Sequence, residues 1–307
     1  MSVVSVINYK GGVGKTTIVA NLAAQLANLG YRVLAIDLDP QSNLSFSFIT
    51  VDRWKQVYQY DRTIKFWFDA YLERQEFEEL SRLVVNPDVI NQMTTGRLDL
   101  ILSHLGLINV DLELAVMLGG ASPRQSRNNF LRVYSLLSKG LADLKDCYDI
   151  VLIDCPPNFN IVTQNALVAS DYYLIPAKPD YLSTIGVDQL RKHVEELTRD
   201  YNTFATQFDD GYDPIDPILL GIVLTMVGIR NNEIIAAQRQ YKAQMVREGI
   251  PIFGNHIREN KTAYANAPEY GVPVVMSNMS GETYVNVRSE LESLTWEFAR
   301  KVGLRWA

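Results

Sequence analysis

A short stretch near the start of the chain, NYKGGVGKTT at positions 8–17, has residue types and spacing suited to holding a phosphate group. Its glycines let the backbone turn tightly, so that backbone N–H groups can point at phosphate oxygens. A helix beginning near Thr16 would add its positive end, and Lys15 would reach the β- and γ-phosphates. This stretch therefore predicts a nucleoside triphosphate site. The glycines are Gly11, Gly12 and Gly14.

The loop departs from the common G-x-x-x-x-G-K-[ST] pattern. Tyr9 stands where the first glycine would be, and the stretch reads K-G-G-V-G-K-T-T. The Thr16 hydroxyl can ligate Mg²⁺, and Thr17 can contact the α-phosphate. One lysine is enough to hold a phosphate, so the additional Lys10 needs a separate explanation.

Carboxylates follow two other apolar runs. Asp37 and Asp39 flank Leu38 at the end of a predicted strand, and alternation along a strand points them to opposite sides. We therefore expect them to do different jobs. Asp154 follows four apolar residues, IVLI, which is a Walker B pattern. Its carboxylate would hold a water molecule bound to Mg²⁺.

The elements that must position these groups alternate between strands and helices. Such alternation predicts an α/β fold with a mostly parallel twisted sheet flanked by helices. The carboxyl ends of parallel strands lie at one edge, so the glycine loop, DLDPQ, DCPP and IPAKP should converge on one crevice. Predicted strands are 2–7, 32–37, 97–104, 148–157, 171–179 and 218–227. Predicted helices are 16–28, several within 46–95, 126–146, one ending near 201, 232–248 and 283–302, with a surface loop at 202–217.

Composition fits a single soluble globular domain spanning 1–307. Of the 307 residues, 47% are hydrophobic and 21% charged, and the net charge of −6 requires any nucleic-acid contact to come from a local basic patch. Cys147 and Cys155 are too few for a disulfide framework, which fits a reducing cytosol. We expect no signal peptide and no membrane-spanning segment.

Four stretches together resemble the ParA type of the ParA/MinD superfamily, whose dimerising ATPases carry a deviant Walker A loop. The resemblance covers nearly the whole chain, except that 46–146 is an enlarged helical region and the loop IRENKTAYANAP is one residue longer than usual. No helix-turn-helix domain is expected ahead of the glycine loop. The stretches begin NYKGGVGKTT (8–45), LDLILSH (98–114), YDIVLIDCPP (148–190) and APEYGVPV (267–274).

This resemblance implies a homodimer with ATP and Mg²⁺ in which Lys10 reaches the nucleotide of the partner subunit. Gly12 would lie at the close subunit contact, Asp39 would position the attacking water, and Asp37 would lie nearer the metal. Hydrolysis would be weak until a partner stimulates it. Catalytic residues are then Lys10, Lys15 and Asp39, and metal residues are Thr16, Asp37 and, through water, Asp154. Nucleotide-binding residues are Lys10, Gly11, Gly12, Val13, Gly14, Lys15, Thr16, Thr17, Met226 and Asn260.

The same resemblance implies non-specific DNA binding by the ATP form, which needs basic side chains that meet phosphates. Arg230 matches one family contact, and Arg258 or Lys261 matches another. A ParB-like or cargo-adaptor protein, a cytoplasmic and nucleoid-associated location, and a plasmid, chromosome or protein cargo follow from the family. Further basic residues that extend the patch are Arg239, Lys242, Arg247 and Arg288.

Two relatives of other kinds give alternatives. The alternative function is that of a MinD-like membrane-associated ATPase, which regulates division-site or complex placement and binds membranes through a C-terminal amphipathic helix. The tail TWEFARKVGLRWA has the aromatic and basic residues for this, but Leu291, Leu294 and Phe298 have the spacing of a helix packed in the core. Relatives with a four-iron cluster use two cysteines per subunit, whereas here the pair flanks one strand and cannot converge. The histidines lack metal-ligand spacing, and His193 is predicted at the surface; they are His104, His193 and His256.

Overall fold

Aliphatic and β-branched runs form a six-stranded parallel sheet in the computed structural model, which describes residues 1–75, 78–207, 211–230, 233–265 and 271–304. The sheet confirms the predicted α/β class, and every predicted strand is present, with ends up to three residues shorter than expected. The strands are β1 Ser2–Val6, β2 Arg32–Asp37, β3 Arg97–Ile101, β4 Ile150–Asp154, β5 Tyr172–Ala177 and β6 Ile218–Leu224.

The strand order β3-β2-β4-β1-β5-β6 places β1 in the middle of the sheet. Val6 at the end of β1 lies opposite Asp154 of β4, and Asp154 in turn lies opposite Asp37 of β2. Because all six strands are parallel, their carboxyl ends form one edge. The register therefore brings both carboxylates beside the start of the glycine loop.

Helices cover both faces of the sheet, and a small hairpin of β7 (Ile229–Arg230) and β8 (Glu233–Ile234) precedes α11. A π-helical turn lies at Trp54–Tyr58 and 3₁₀ turns at Leu80–Leu83 and Val274–Met276. The α-helices are α1 Lys15–Asn28, α2 Asn43–Phe46, α3 Val51–Arg53, α4 Ile64–Arg74, α5 Asp88–Asn91, α6 Leu107–Met117, α7 Pro123–Tyr134, α8 Leu136–Ala142, α9 Ile161–Val168, α10 Tyr181–Ala205, α11 Ala236–Arg247, α12 Lys261–Ala265 and α13 Glu282–Lys301.

The sheet separates two hydrophobic cores, as expected for parallel strands buried on both faces. Leu152 of β4 packs in the core with α1 and α13, whereas the next residue, Ile153, packs in the core with α4 and α6 to α10. The α13 residues predicted to pack inward are all buried, which confirms a terminal core helix: Leu291, Leu294 and Phe298.

The region 46–146 is helical as predicted but differs in detail. The expected single helix 126–146 is two helices, α7 and α8, that meet at Ser135, whose hydroxyl hydrogen-bonds the Tyr201 hydroxyl at 2.7 Å. The leucines predicted to face inward are buried, because both helices pack on the sheet. These are Leu131, Leu136, Leu137, Leu141 and Leu144.

Three helix boundaries also differ from expectation. Helix α6 lies within the region predicted to be helical, but its bounds were not predicted, since apolar residues on both of its faces obscure the helical period. Helix α10 continues past 201 to Ala205, where Asn202 exchanges two hydrogen bonds with the backbone of Ile215. Helix α11 begins at Ala236, after the hairpin, rather than at 232. No helix among the described residues is long and apolar enough to cross a membrane.

Candidate functional site

The glycine loop joins β1 to α1 at the carboxyl edge. Gly12 (φ +68°) and Gly14 (φ +87°) lie in the left-handed region, where an L side chain would be strained. Gly14 is the N-cap of α1 and offers no capping side chain. The N–H groups of the first turn of α1 are therefore available to a phosphate.

Lys15 is the buried cation of this loop, with 6% of its surface exposed. Its Nζ donates to the carbonyl oxygens of Asn8 at 3.2 Å and Lys10 at 3.4 Å. Burial lowers the pKa of Lys15, while the nearby carboxylates of Asp154 and Asp39 act in the opposite direction. An incoming phosphate would give this ammonium a better counter-charge than two carbonyl groups.

Asp154 and Thr16 have the donor set that a hard cation requires. The Thr16 hydroxyl donates to Asp154 Oδ2 at 2.6 Å. The other oxygen, Oδ1, is buried and accepts no hydrogen bond from the described residues. Burial, with Asp37 nearby, raises the pKa of Asp154 well above its usual value. An orphaned carboxylate oxygen beside a hydroxyl fits Mg²⁺, which binds oxygen ligands and keeps several waters.

Asp37 and Asp39 play different parts, as their alternation predicted. Asp37 accepts hydrogen bonds from the Ser45 backbone (2.8 Å) and hydroxyl (2.7 Å) and from the Asp39 backbone (3.1 Å). Burial raises its pKa to about 7. Both oxygens of Asp37 thus hold the Asp39 loop, and its predicted place near the metal remains a prediction. Asp39 instead lines the open cleft and accepts from the Gln41 N–H at 2.9 Å.

Two cavities meet at the glycine loop. A cleft of about 560 Å³ has the predicted phosphate residues in its wall, among them Gly11, Gly12, Lys15, Thr16 and Asp39. A second cavity, of about 440 Å³, is more apolar and includes Ile18, Ile257, Met226 and Asn260. The cavities share Gly14, Thr17, Met226 and Tyr264. The structure thus brings Met226 and Asn260 to a second pocket continuous with the phosphate cleft, where a nucleotide base would fit.

Val13 is fully buried and contributes through its backbone, whose carbonyl accepts a 2.7 Å hydrogen bond from the Thr225 hydroxyl. Sequence reasoning missed the part that Lys178 and Tyr264 play in the second cavity. Lys178 could have been found, because it lies in IPAKP at a predicted strand end. Tyr264 could not have been found in this way, because its position depends on how residues 257–265, which include α12, fold over the cavity.

Lys10 is partly exposed, and its ammonium group pairs with a carboxylate at the start of α10. Its Nζ pairs with Asp180 Oδ2 at 2.9 Å, and Asp180 Oδ1 also caps α10 by accepting from the Ser183 N–H at 2.8 Å. Burial alone would raise the pKa of Asp180, but the hydrogen bonds from Lys10 and Ser183 outweigh it and lower the pKa. Lys10, the cation predicted to act on a partner subunit, thus forms an ion pair with Asp180, whose carboxylate is also exposed to solvent.

His193 is not the free surface residue that the sequence suggested. Its ring hydrogen-bonds the Tyr9 hydroxyl through Nδ1 and packs beside Phe159. Tyr9 and Phe159 also meet edge to face, with ring centroids 6.1 Å apart. The residue before Lys10 is therefore anchored to α10 and to the loop that follows Asp154.

The predicted DNA-binding residues fall into two groups. Arg230 is exposed in the β7–β8 hairpin. Arg258 instead lines the second cavity with its side chain only 26% exposed, and its Nε donates to Glu290 Oε1 at 2.8 Å. That burial and pairing argue against a DNA contact for Arg258. Lys261 begins α12, and its side chain lies outside the described residues.

The other basic residues named for the patch also divide. Lys242 is half-buried and Arg247 exposed, both on α11, and Arg239 pairs with Glu233 at 2.9 Å. Arg288 donates to the carbonyl oxygens of Ser277 and Met279, so its guanidinium is already engaged. The hairpin and α11 therefore carry the better candidates for a DNA surface.

The cysteines lie at opposite ends of one strand, as expected. Cys147 is exposed ahead of β4 and Cys155 is buried just after it, where burial raises the thiol pKa. The described part of the chain contains no group of three or more His, Cys, Asp or Glu side chains that could hold a metal ion. This arrangement does not fit a shared iron–sulfur cluster.

Comparison with known proteins agrees with this geometry. A family model described as "AAA domain" matches residues 1–206. The chain is 28% identical over 296 residues to the sporulation initiation inhibitor protein Soj of Bacillus subtilis, covering 94% of this chain and 97% of Soj. It is 29% identical over 268 residues to the chromosome-partitioning ATPase Soj of Treponema pallidum, covering 87% of each chain.

A solved structure is similar as well. Cobyrinic acid a,c-diamide synthase from Mycobacterium smegmatis, with a bound ATP analogue and magnesium, superposes with a TM-score of 0.62 at 26% identity, covering 88% of this chain and 91% of that one. Nucleotide and Mg²⁺ thus occur in proteins with this fold, in agreement with the glycine loop and the Thr16–Asp154 pair. The chain belongs to the AAA-domain family matched here and is a ParA-type partition ATPase.

Proposed function

We propose that this ATPase closes as a homodimer around two ATP molecules, binds DNA without sequence preference in that state, and is reset by hydrolysis that a ParB-like or adaptor protein stimulates. The cycle would segregate or position a cargo, either a plasmid, a chromosome or a protein assembly, on the nucleoid in the cytoplasm. The similarity to the chromosome-partitioning ATPase Soj of Treponema pallidum supports this proposal.

One observation carries the dimer: the two lysines of the glycine loop have different positions. Lys15 lies in the wall of the phosphate cleft, whereas Lys10 Nζ points to Asp180 at the surface. A surface cation next to the cleft is suited to a second subunit, where it would stabilise the negative charge of phosphoryl transfer as an arginine finger does. Hydrolysis would then require dimerisation.

The residues of the cleft have the roles that phosphoryl transfer needs. Lys15 and the first-turn N–H groups of α1 would hold the phosphates, and Asp39, facing the cleft, would orient the attacking water and receive its proton. Thr16 and Asp154 would hold Mg²⁺, which supplies positive charge to the phosphate oxygens. Asp37 keeps the Asp39 loop in place through Ser45. Positioning and charge thus account for the chemistry without a covalent intermediate.

The DNA surface would lie on the β7–β8 hairpin and α11. Arg230, Lys242 and Arg247 lie there, and a dimer would present the set twice. Each cation that meets a DNA phosphate releases a counterion, so binding should weaken steeply with salt. A MinD-like membrane cycle is less well supported, because the apolar face of α13 is buried in the core.

The test is binding to random-sequence duplex DNA with ATP or ADP at several salt concentrations. We expect binding with ATP only, and we expect Arg230→Glu to weaken it by roughly tenfold or more. Arg199→Glu makes the same charge change on α10, where Arg199 is exposed beside Asp200, and should bind like wild type. Equal binding with ADP, or ATP-dependent sedimentation with anionic liposomes instead of DNA, would overturn the proposal.

A further inference from the structure

Helix α6 exposes a row of large apolar side chains. Leu105, Ile108, Leu112 and Val116, here called the α6 stripe, have 60%, 53%, 69% and 81% of their surface exposed. Ile108, Leu112 and Val116 are four residues apart and so lie on one side of α6, and Leu105 lies in the turn just before the helix. The opposite side is buried in the core through Leu107, Val110 and Leu114. An exposed contiguous apolar surface of this kind marks a site of interaction.

The charges on α6 indicate what can cover the stripe. Asp111 and Glu113 are the charged residues between Leu105 and Met117, and both are acidic. Asp111 is half-buried and accepts hydrogen bonds from Asn160 and Val162, which leaves Glu113 as the exposed charge, so this helix offers no basic side chain to DNA phosphates or anionic lipid headgroups. The surface that fits is therefore the apolar surface of a protein.

Position favours a second copy of this chain. The ring of Phe159 meets Tyr9, the neighbour of Lys10, and the next residue, Asn160, donates a hydrogen bond to Asp111 of α6. The middle of α6 thus lies two side-chain contacts from the segment that carries Lys10, the lysine proposed to act on a partner subunit. A second copy that receives Lys10 would therefore approach α6 as well.

Hydrogen bonds join α6 and the segment just ahead of it to the backbone at Asp39 and to the region that follows Asp154. Just ahead of the helix, the Ser103 hydroxyl donates to the Asp39 carbonyl oxygen at 2.7 Å. Within the helix, Asp111 Oδ1 accepts from the Val162 N–H at 3.0 Å, in the first turn of α9, which follows the loop after Asp154. A dimer contact that shifts α6 would therefore also shift both of these regions, and it would affect the reaction centre through them.

We infer that the α6 stripe packs against the same stripe of a second copy, about the two-fold axis of the nucleotide-bound dimer. The inference rests on the proposed function, because it assigns part of the contact that the ATP dimer requires. Symmetric dimers use one self-complementary patch twice, and an uncharged apolar row meets that condition without like-charge repulsion. Covering the stripe would add the apolar centre that a stable interface needs.

The test places a charge in the stripe. Ile108→Glu brings two carboxylates together in the dimer, and we expect the dimer dissociation constant with a non-hydrolysable ATP analogue to rise by at least roughly tenfold, measured by light scattering after size exclusion. Mixing equal amounts of Ile108→Glu and Ile108→Lys chains should restore dimers, because opposite charges then face each other. Monomer binding of a fluorescent ATP analogue should match wild type.

A matched control is Ile218→Glu. Ile218 is 54% exposed, like Ile108, but it lies at the amino end of β6, on the opposite edge of the sheet. It should dimerise like wild type. If wild type and Ile108→Glu dimerise equally, or if the Glu and Lys chains do not rescue each other, the stripe does not meet its own copy. If wild type itself stays monomeric with the ATP analogue, the proposed dimer fails as well, so the two failures are distinguishable.

Discussion

The phosphate cleft and helix α6 lie side by side at the same edge of the sheet, and they are incomplete in opposite ways. The charged groups of the cleft lack full partners. Asp154 keeps one buried carboxylate oxygen without a hydrogen bond from the described residues, and Lys15 Nζ donates its hydrogen bonds to two backbone carbonyl oxygens. On helix α6 the half-buried carboxylate of Asp111 accepts two hydrogen bonds, and the helix instead exposes apolar surface. The cleft is built for small ions and phosphates, and α6 for another protein surface.

This difference matters for how the two sites can be coupled. The electrostatic interaction of a charged ligand extends over several ångströms, whereas the hydrophobic effect requires that two apolar surfaces come into contact. Ser103 and Asp111 join the two regions by hydrogen bonds. Nucleotide binding and protein contact can therefore influence each other without sharing a residue.

The largest expected effects separate the two lysines. Lys15→Ala removes the cation inside the cleft and should reduce ATP binding and hydrolysis by about 100-fold or more. Lys10→Ala should leave ATP binding intact and lose hydrolysis by a similar factor, since an in-trans cation contributes about that much or more. Fluorescent-nucleotide titration and phosphate release measure the two quantities.

A mixture of two inactive chains tests the trans role of Lys10. In a dimer of Lys10→Ala with Asp39→Ala, one of the two sites combines an intact Asp39 with an intact Lys10 from the partner. Random pairing should restore about a quarter of wild-type activity, because half the dimers are mixed and each has one good site. A mixture as inactive as its components would show that Lys10 acts within its own chain.

A smaller effect is expected on the α6 side, where burial raises the pKa of Asp111 from 3.8 to about 6. The folded chain then holds this proton more tightly than the unfolded chain. The contribution of the protonated Asp111 carboxyl to the free energy of unfolding is fully present below about pH 4, and it is lost as the pH rises through about 6. A shift of this size corresponds to at most about 3 kcal/mol. Solvent screening at this half-exposed group lowers that figure, so Asp111→Asn should gain on the order of 2 kcal/mol in free energy of unfolding over wild type across that interval.

Urea unfolding at several pH values measures this difference. Glu113→Gln, a neutralisation at an exposed position of the same helix, should show no such trend. A constant gap between Asp111→Asn and wild type from pH 4 to about 7 would mean that Asp111 is ionised at little cost in the folded chain.

The smallest expected effect concerns the contact that holds Lys10. Asp180→Asn keeps the cap of α10, because asparagine also accepts from the Ser183 N–H, but removes the charge that pairs with Lys10. Exposed ion pairs contribute up to about 1 kcal/mol, so ATP-dependent dimerisation should tighten by up to about fivefold. Asp188→Asn, which removes the partner of Lys192 on the same helix, should not change it. Weaker dimerisation of Asp180→Asn would show that Asp180 itself contributes to the dimer contact.

The sequence predicts the cleft well because its chemistry restricts residue type at each position. Glycine is the residue best suited to the left-handed turns at Gly12 and Gly14, and an apolar strand that ends in a carboxylate, as at Asp154, can be recognised from a few neighbouring residues. These positions depend on local backbone and on strand order alone. The strands therefore converge as expected, and Lys15, Thr16 and Asp39 reach the same cleft.

Features set by contacts between distant segments could not be predicted in this way. The break at Ser135 is stabilised by Tyr201, which lies 66 residues away. From the sequence alone, Arg258 is predicted to be a surface cation. In the fold, Arg258 pairs with Glu290 and lies in the wall of the second cavity. Helix α6 has apolar residues all round, and the periodicity that usually reveals a helix depends on one face being polar.

The central place of β1 has a consequence for synthesis on the ribosome. This first strand is flanked by β4 and β5, whose residues pair with it from Ile150 to Leu174. At roughly 5–20 residues per second, the growing chain must wait on the order of 10 to 30 s before either neighbour exists. During that time the amino-terminal apolar run has no sheet to join, so we expect nascent chains to depend on chaperones until about half of the protein has emerged.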